Sequence, residues 1–277
     1  MSGVSAQPHC LSGTCRIQLP SLFEEAVPGY HCRMKYELTN IPVIDAYTAK
    51  PDCTICFLED RLESQNIEFF LGNSVMVPEM RVAVNRDGFC GRHLRMLLAG
   101  KNKLGLSLML HTHLDEQDGR RVASWAGGRR ALRRRLLPWS RAGVRGAVRE
   151  LADREERGAA RCLLCDRLSH TLDNYRYTIV KLFQSNGEFR DLFSESAGFC
   201  RRHSPEVLRM SAEILPDRPL IEFVSSLIEI SSTQSRTIGA ELEGFAQKFD
   251  YLNTIPMSEG ERTSLVKAVR YLGADDV

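Results

Sequence analysis

Eight residues carry the chemistry this chain can do, and they fall into four pairs. Cys53 and Cys56, Cys90 and His93, Cys162 and Cys165, and Cys200 and His203 are each three positions apart. On a helical turn that spacing puts both side chains on one face, about 5–6 Å apart at Cβ. A divalent ion with thiolate bonds of about 2.3 Å and an imidazole bond of about 2.0 Å fits such a bite. Each pair is therefore a two-toothed claw. The claws recur in order: Cys-x-x-Cys, then Gly-Phe-Cys-x-x-His, then the same two again. Cys53 and Cys162 lie 109 positions apart, and Cys90 and Cys200 lie 110 apart. Read by proximity along the chain, Cys53, Cys56, Cys90 and His93 form one Cys3His site. Cys162, Cys165, Cys200 and His203 form a second.

Zinc, two ions per chain, is the leading cofactor, because Cys3His is a common closed structural zinc set. An iron–sulfur cluster is the alternative, since soft thiolates suit iron as well. Buried cysteines acting as small hydrophobes would need no matched spacing, still less a duplicated one. A thiol–disulfide oxidoreductase would place its Cys-x-x-Cys in a βαβ pattern, which is missing here. Arg92 and Arg202, inside the histidine claws, are read as thiolate partners or as solvent-facing. His111 and His113 would share a face on a strand and diverge on a helix, and they lack matching carboxylates. No glycine-rich phosphate loop, nucleophile elbow or paired acids stand out, so no catalytic residue is assigned. A four-ligand site leaves no position for substrate, and enzymatic activity is not the favoured reading.

The elements that hold the claws read as helices. Leu58, Leu62 and Phe69 share a face after Cys53, with Asp52 as N-cap, and Leu168, Leu172, Tyr175, Ile179 and Leu182 repeat at threes and fours after Cys162. Gly-Phe before Cys90 and before Cys200 reads as a turn opening a short helix, Leu94–Leu98 and Pro205–Met210. Leu104, Leu106, Leu108 and Leu110 alternate briefly, which suits a strand or a helix. Val144, Val148 and Leu151 suggest a short helix. Ile238, Leu242, Phe245 and Phe249 mark another, and Ser264–Leu272 a last one. The expected class is all-α, with two helical pseudo-repeats, each with a Cys3His site, and a helical C-terminal segment.

The expected divisions are residues 1–33 as a tail or a start upstream of the natural one, 34–118 as the first cysteine unit, 119–161 as an arginine-rich linker, 162–215 as the second unit, and 216–277 as the C-terminal segment. Cys10, Cys15, Cys32, His9 and His31 fall in the tail and are read as incidental. Gly127-Gly128 and Pro138 are expected to break the linker. Residues 119–161 hold 13 arginines, no lysine and four acids, a local charge of +9 that leaves −7 for the rest. Nucleic acid is a possible partner of that stretch through phosphate contacts, although a solvated linker is the first reading. No apolar run approaches the roughly 20 residues of a membrane span, and the N-terminus lacks a secretory signal, so a cytoplasmic location and no membrane partner are expected.

Met34-Lys35-Tyr36-Glu37-Leu38-Thr39-Asn40-Ile41-Pro42-Val43, both cysteine units, Ile67–Met76, Gly105–Leu114 and Phe249-Asp250-Tyr251 together resemble an uncharacterised bacterial family known only as a domain of unknown function. The resemblance runs from Met34 to near the C-terminus. It implies the paired Cys-x-x-Cys and Phe-Cys-x-x-His architecture and no activity. The functional expectation is accordingly an intracellular metal-binding scaffold for an unknown protein partner. The alternatives are a nucleic-acid-binding zinc protein and a thiol redox or iron–sulfur protein.

Overall fold

The computed structural model describes residues 40–135, 144–159, 161–250 and 253–273, with the side chains of 124, 130–135, 144, 155 and 157–159 left aside. The tail and Met34 lie outside the described residues. In chain order the helices are α1 (Asn40–Thr48), α2 (Thr54–Leu71), α3 (Pro78–Asp87), α4 (Gly91–Ala99), α5 (Lys103–Arg135), α6 (Val144–Ala159), α7 (Leu163–Ser185), α8 (Gly187–Ser194), α9 (Ser204–Ile214), α10 (Asp217–Gln247) and α11 (Glu259–Leu272). A 3-10 turn, Asn73–Met76, joins α2 to α3. Among the described residues there is no strand, and the class is all-α. The alternating leucines from Leu104 to Leu110 belong to α5, a helix: Leu106 and Met109 are buried at helical spacing while Leu104 is exposed.

Two long helices set the frame. α2 and α7 run antiparallel, so the start of one lies beside the end of the other. Arg167, early in α7, donates from Nε to Asn66 Oδ1, late in α2, at 3.2 Å. Ile55 and Leu58 at the start of α2 share a core with Ile179, Val180 and Phe183 at the end of α7. Phe70 and Leu71 share another with Leu164 and Leu168. The first core is built around Phe183, Phe193 and Phe223, whose rings meet at 5.0–5.2 Å. A fully buried ring of this kind stabilises the fold by about 1.5–3 kcal/mol relative to exposure. α10 supplies Phe223, Leu227 and Ile230 to that core, so the C-terminal segment packs on the repeats. α11 folds back on α10 from a capping box, Ser258 with Glu261, and ends at Gly273 in the left-handed conformation.

The expected linker is mostly helix. α5 continues through Gly127-Gly128 to Arg135, and α6 packs against it. Each helical glycine costs about 1 kcal/mol relative to alanine. Neither position is crowded: a Cβ on Gly128 would meet Leu151 of α6 at an ordinary contact distance of 3.5 Å, and one on Gly127 would meet nothing within 4 Å. The packing of α6 along α5 offsets that local cost. Pro138 lies outside the described residues. Asp52 is not the cap of α2; Cys53 occupies that position, and the Asp52 carbonyl instead accepts from Gln234 Nε2 of α10 at 2.7 Å.

Candidate metal centres

Three of the four claws sit at helix starts. Cys53 caps α2, Cys162 caps α7 and Cys90 caps α4, while Cys200 lies in the turn whose last residue, His203, caps α9. The claws meet in two groups of four. Cys53 and Cys56 face Cys200 and His203; Cys162 and Cys165 face Cys90 and His93. There are thus two Cys3His groups, as expected, but the claws are exchanged between the units. The reason is length. The 18 residues of α2 carry the chain about 27 Å away from Cys53. The ten residues of α3 return it by about 15 Å at most. The claw of α4 therefore docks against Glu63 in the second half of α2, toward the end beside which antiparallel α7 begins. The claw of α9 reaches the other end, where α2 begins.

A glycine carbonyl seals each exchange. The first amide of α7, Leu163 N–H, donates to Gly88 O at 3.0 Å, and the first amide of α2, Thr54 N–H, donates to Gly198 O at 3.4 Å. Both glycines have positive φ, +65° and +75°. A Cβ on Gly88 would lie 2.5 Å from His113 Cε1, whose Nδ1 sits 3.1 Å from the Asn85 carbonyl. His113 is therefore a packing residue behind the Cys90 claw. His111 points elsewhere, to solvent and Asp115. Gly88→Ala combines backbone strain with overpacking and should cost about 2–5 kcal/mol. Gly119→Ala, with open space around it, should be neutral or slightly stabilising. Urea unfolding of the two variants checks this.

We call the group of Cys53, Cys56, Cys200 and His203 centre A, and that of Cys90, His93, Cys162 and Cys165 centre B. All ligand atoms within a group lie within 4.8 Å of one another. In centre A, Cys56 Sγ is 3.7 Å from Cys200 Sγ, and His203 Nδ1 is 3.3, 3.4 and 3.6 Å from the sulfurs of Cys56, Cys200 and Cys53. In centre B, Cys90 Sγ is 3.8 Å from Cys165 Sγ, and His93 Nδ1 is 3.2, 3.3 and 3.4 Å from the sulfurs of Cys162, Cys90 and Cys165. A tetrahedron with the bond lengths given above has S···S edges of about 3.8 Å and S···N edges of about 3.5 Å. Both groups match the size of a single-ion site. None of the six cysteines is in a disulfide.

Behind each imidazole stands a carboxylate. Buried His93 donates from Nε2 to Glu63 Oε1 at 2.8 Å, and Arg92 Nη2 holds the other oxygen of Glu63 at 3.0 Å. Buried His203 has Nε2 3.4 Å from Glu59 Oε2, with the Arg202 guanidinium on both. The arginines inside the histidine claws thus bind these carboxylates. Such partners fix the ring so that Nδ1 points at the site and raise its basicity. Both carboxylates come from α2, one turn apart. Their counterparts 109 positions on are Leu168 and Leu172, both buried. The repeat is symmetric in its claws and asymmetric in what supports them.

With only protons to share, the groups compensate one another. Burial works against charged His93 and His203, yet the adjoining thiolates and glutamates raise them to about 10 and about 11. Burial likewise opposes a charged Cys162, yet His93 and the Cys165 amide pull its thiol down to about 6. Cys165 is pushed up to about 12 by burial and by Cys162. In centre A, hydrogen bonds from Cys53 and Cys56 stabilise the Cys200 thiolate, and Cys56 is held as the thiol. Burial tends to raise Glu59, but His203 and Arg202 bring it below the usual carboxylate range. A divalent cation would take the place of these shared protons and hold the thiolates ionised.

Residues 34–275 match the family described as "Family of unknown function (DUF6062)". The chain belongs to this family. This DUF6062 member is also 22% identical over 209 residues to the "Uncharacterized 23.9 kDa protein in xynA 3'region" of Caldicellulosiruptor sp. (strain Rt8B.4), covering 73% of this chain and 84% of that one. No solved structure matches. No helix among the described residues is long and apolar enough to cross a membrane.

Proposed function

We propose that this protein is a zinc-stapled helical scaffold, in which two closed Cys3His centres join its halves and a partner-binding role is built on the resulting frame. The observation that carries this reading is the pair of four-ligand groups with single-ion edges, each with a carboxylate behind its histidine. The tight edges favour one ion per centre over an iron–sulfur cluster, whose several atoms would hold the thiolates further apart. Four protein ligands leave no open coordination position, which favours structure over catalysis. Metal analysis of protein purified with and without air should find about two zinc ions per chain. Iron with visible charge-transfer absorption would sink the zinc assignment. Replacing Glu63 by Gln should weaken metal retention about 10–100-fold at centre B, the range for losing the partner of a ligating histidine. Competition with a chromophoric chelator measures it, and an unchanged second release step identifies centre A.

A second reading, nucleic-acid binding through residues 119–161, is favoured by one observation. On the exposed face of α5 the Arg121 guanidinium lies 4.5 Å over the Trp125 ring, and exposed Arg129, Arg145 and Arg149 share the α5–α6 arm. Stacked aromatic and arginine groups are what sequence-tolerant binding to single strands uses. If the arm is only a spacer, binding to random oligonucleotides is weak at physiological salt and disappears as salt rises. Sub-micromolar binding lost on changing Arg129, Arg130, Arg133, Arg134 and Arg135 to Ala would reverse the order of the two readings.

A further inference from the structure

The two centres share a donor set but not a cover. In centre A, Cys53, Cys200 and His203 are buried, and the half-buried Cys56 lines a cavity of about 150 Å³ that Arg270 and Tyr271 of α11 also line. α11 is fastened there: Arg201 N–H donates to Tyr271 O at 2.9 Å, and Tyr271 Oη lies 3.1 Å from Ser231 Oγ of α10. In centre B the corresponding cysteine, Cys165, is exposed and Cys90 is half-buried. Their sulfurs are 3.8 Å apart.

We infer that centre B is an oxidation site for peroxides, with Cys165 the first sulfur attacked and Cys90 the resolving partner, while centre A stays closed. This rests on the zinc reading. The Cys165 sulfur attacks one peroxide oxygen, the O–O bond breaks and hydroxide leaves, giving a sulfenic acid that no longer ligates. The Cys90 sulfur then attacks the sulfenic sulfur and expels the second hydroxide, forming the Cys90–Cys165 disulfide. Two thiolates have lost two electrons, hydrogen peroxide has gained them, and two protons complete two waters. The metal changes no oxidation state. Held only by Cys162 and His93, it is released as the divalent ion. Oxidation thus replaces the metal with a Cys90–Cys165 disulfide as the link between α4 and α7, and leaves the α2–α9 junction intact. Exposure and thiolate character set which cysteine oxidises first; with metal holding every thiolate ionised in both centres, exposure decides, and it favours centre B.

The test begins with the metal content of the reduced full-length protein. Fewer than about two ions per chain would refute the zinc reading itself. Given two, limiting hydrogen peroxide should release one ion, read with a chromophoric chelator. Differential alkylation and mass spectrometry should place the new disulfide at Cys90–Cys165, with Cys53, Cys56 and Cys200 still reduced. Reductant plus zinc should restore the starting state. Tyr271→Ala, which removes one wall of the cavity beside Cys56, should release the second ion at least about tenfold faster than in the parent chain. Simultaneous loss of both ions from the parent protein, or earlier oxidation of Cys56 or Cys200, would overturn the inference. So would a second-ion rate unchanged by Tyr271→Ala.

Discussion

Cys53→Ser combined with Cys200→Ser should leave about one zinc ion per chain, whereas Cys53→Ser combined with Cys90→Ser should leave none. The first pair damages one centre twice and the second damages both. Stability should follow the same pattern. Each single substitution should cost several kcal/mol, the scale of losing a structural metal. Within centre A the second substitution should add little, because the ion is already gone. Across centres the costs should add, within the few tenths of a kcal/mol usual for independent sites. Pairing by sequence order gives the opposite assignment of doubles. Metal content of the five variants, three single and two double, with their urea midpoints, decides between them.

The other large effect is complete chelation. Removing both ions takes away the fastening between α2 and α9 and that between α4 and α7, and leaves buried cysteines, histidines and Glu63 to share protons in a low-dielectric interior. Binding free energy of a structural zinc is folding free energy, since the unfolded chain cannot preform the site. Far-ultraviolet circular dichroism should therefore fall steeply on treatment with a strong chelator and recover on adding zinc. The loss should deepen as pH falls, because protons compete for the same thiolates and imidazoles. Helicity and melting temperature unchanged after verified metal removal would mean that the aromatic core around Phe183, Phe193 and Phe223 holds the fold alone.

The claws and most of the helices were legible in the sequence because both are local. A ligand pair three positions apart is fixed by one helical turn, and the stripe from Leu168 to Leu182 fixes the buried face of α7. What faces what was not legible. Two claws some 34 positions apart look as though they close on each other, but an 18-residue helix between them makes a rod of about 27 Å. Only the antiparallel packing of α2 on α7 shows which claw awaits at its far end. Glu59 and Glu63 were visible as acids one turn apart on α2, and only the tertiary fold shows a histidine behind each. The helical course of α5 through Gly127-Gly128 was hidden for a related reason: the glycines weaken the local signal, and the helix that packs along α5 there, α6, comes later in the chain.

The central claim, that two closed Cys3His zinc centres hold this fold, is tested most directly by X-ray absorption at the zinc edge of the purified full-length protein. A first shell of three sulfurs at about 2.3 Å and one nitrogen at about 2.0 Å, averaged over two ions per chain, is the expected result. An oxygen from water in that shell, a four-sulfur shell, or iron in place of zinc would contradict it.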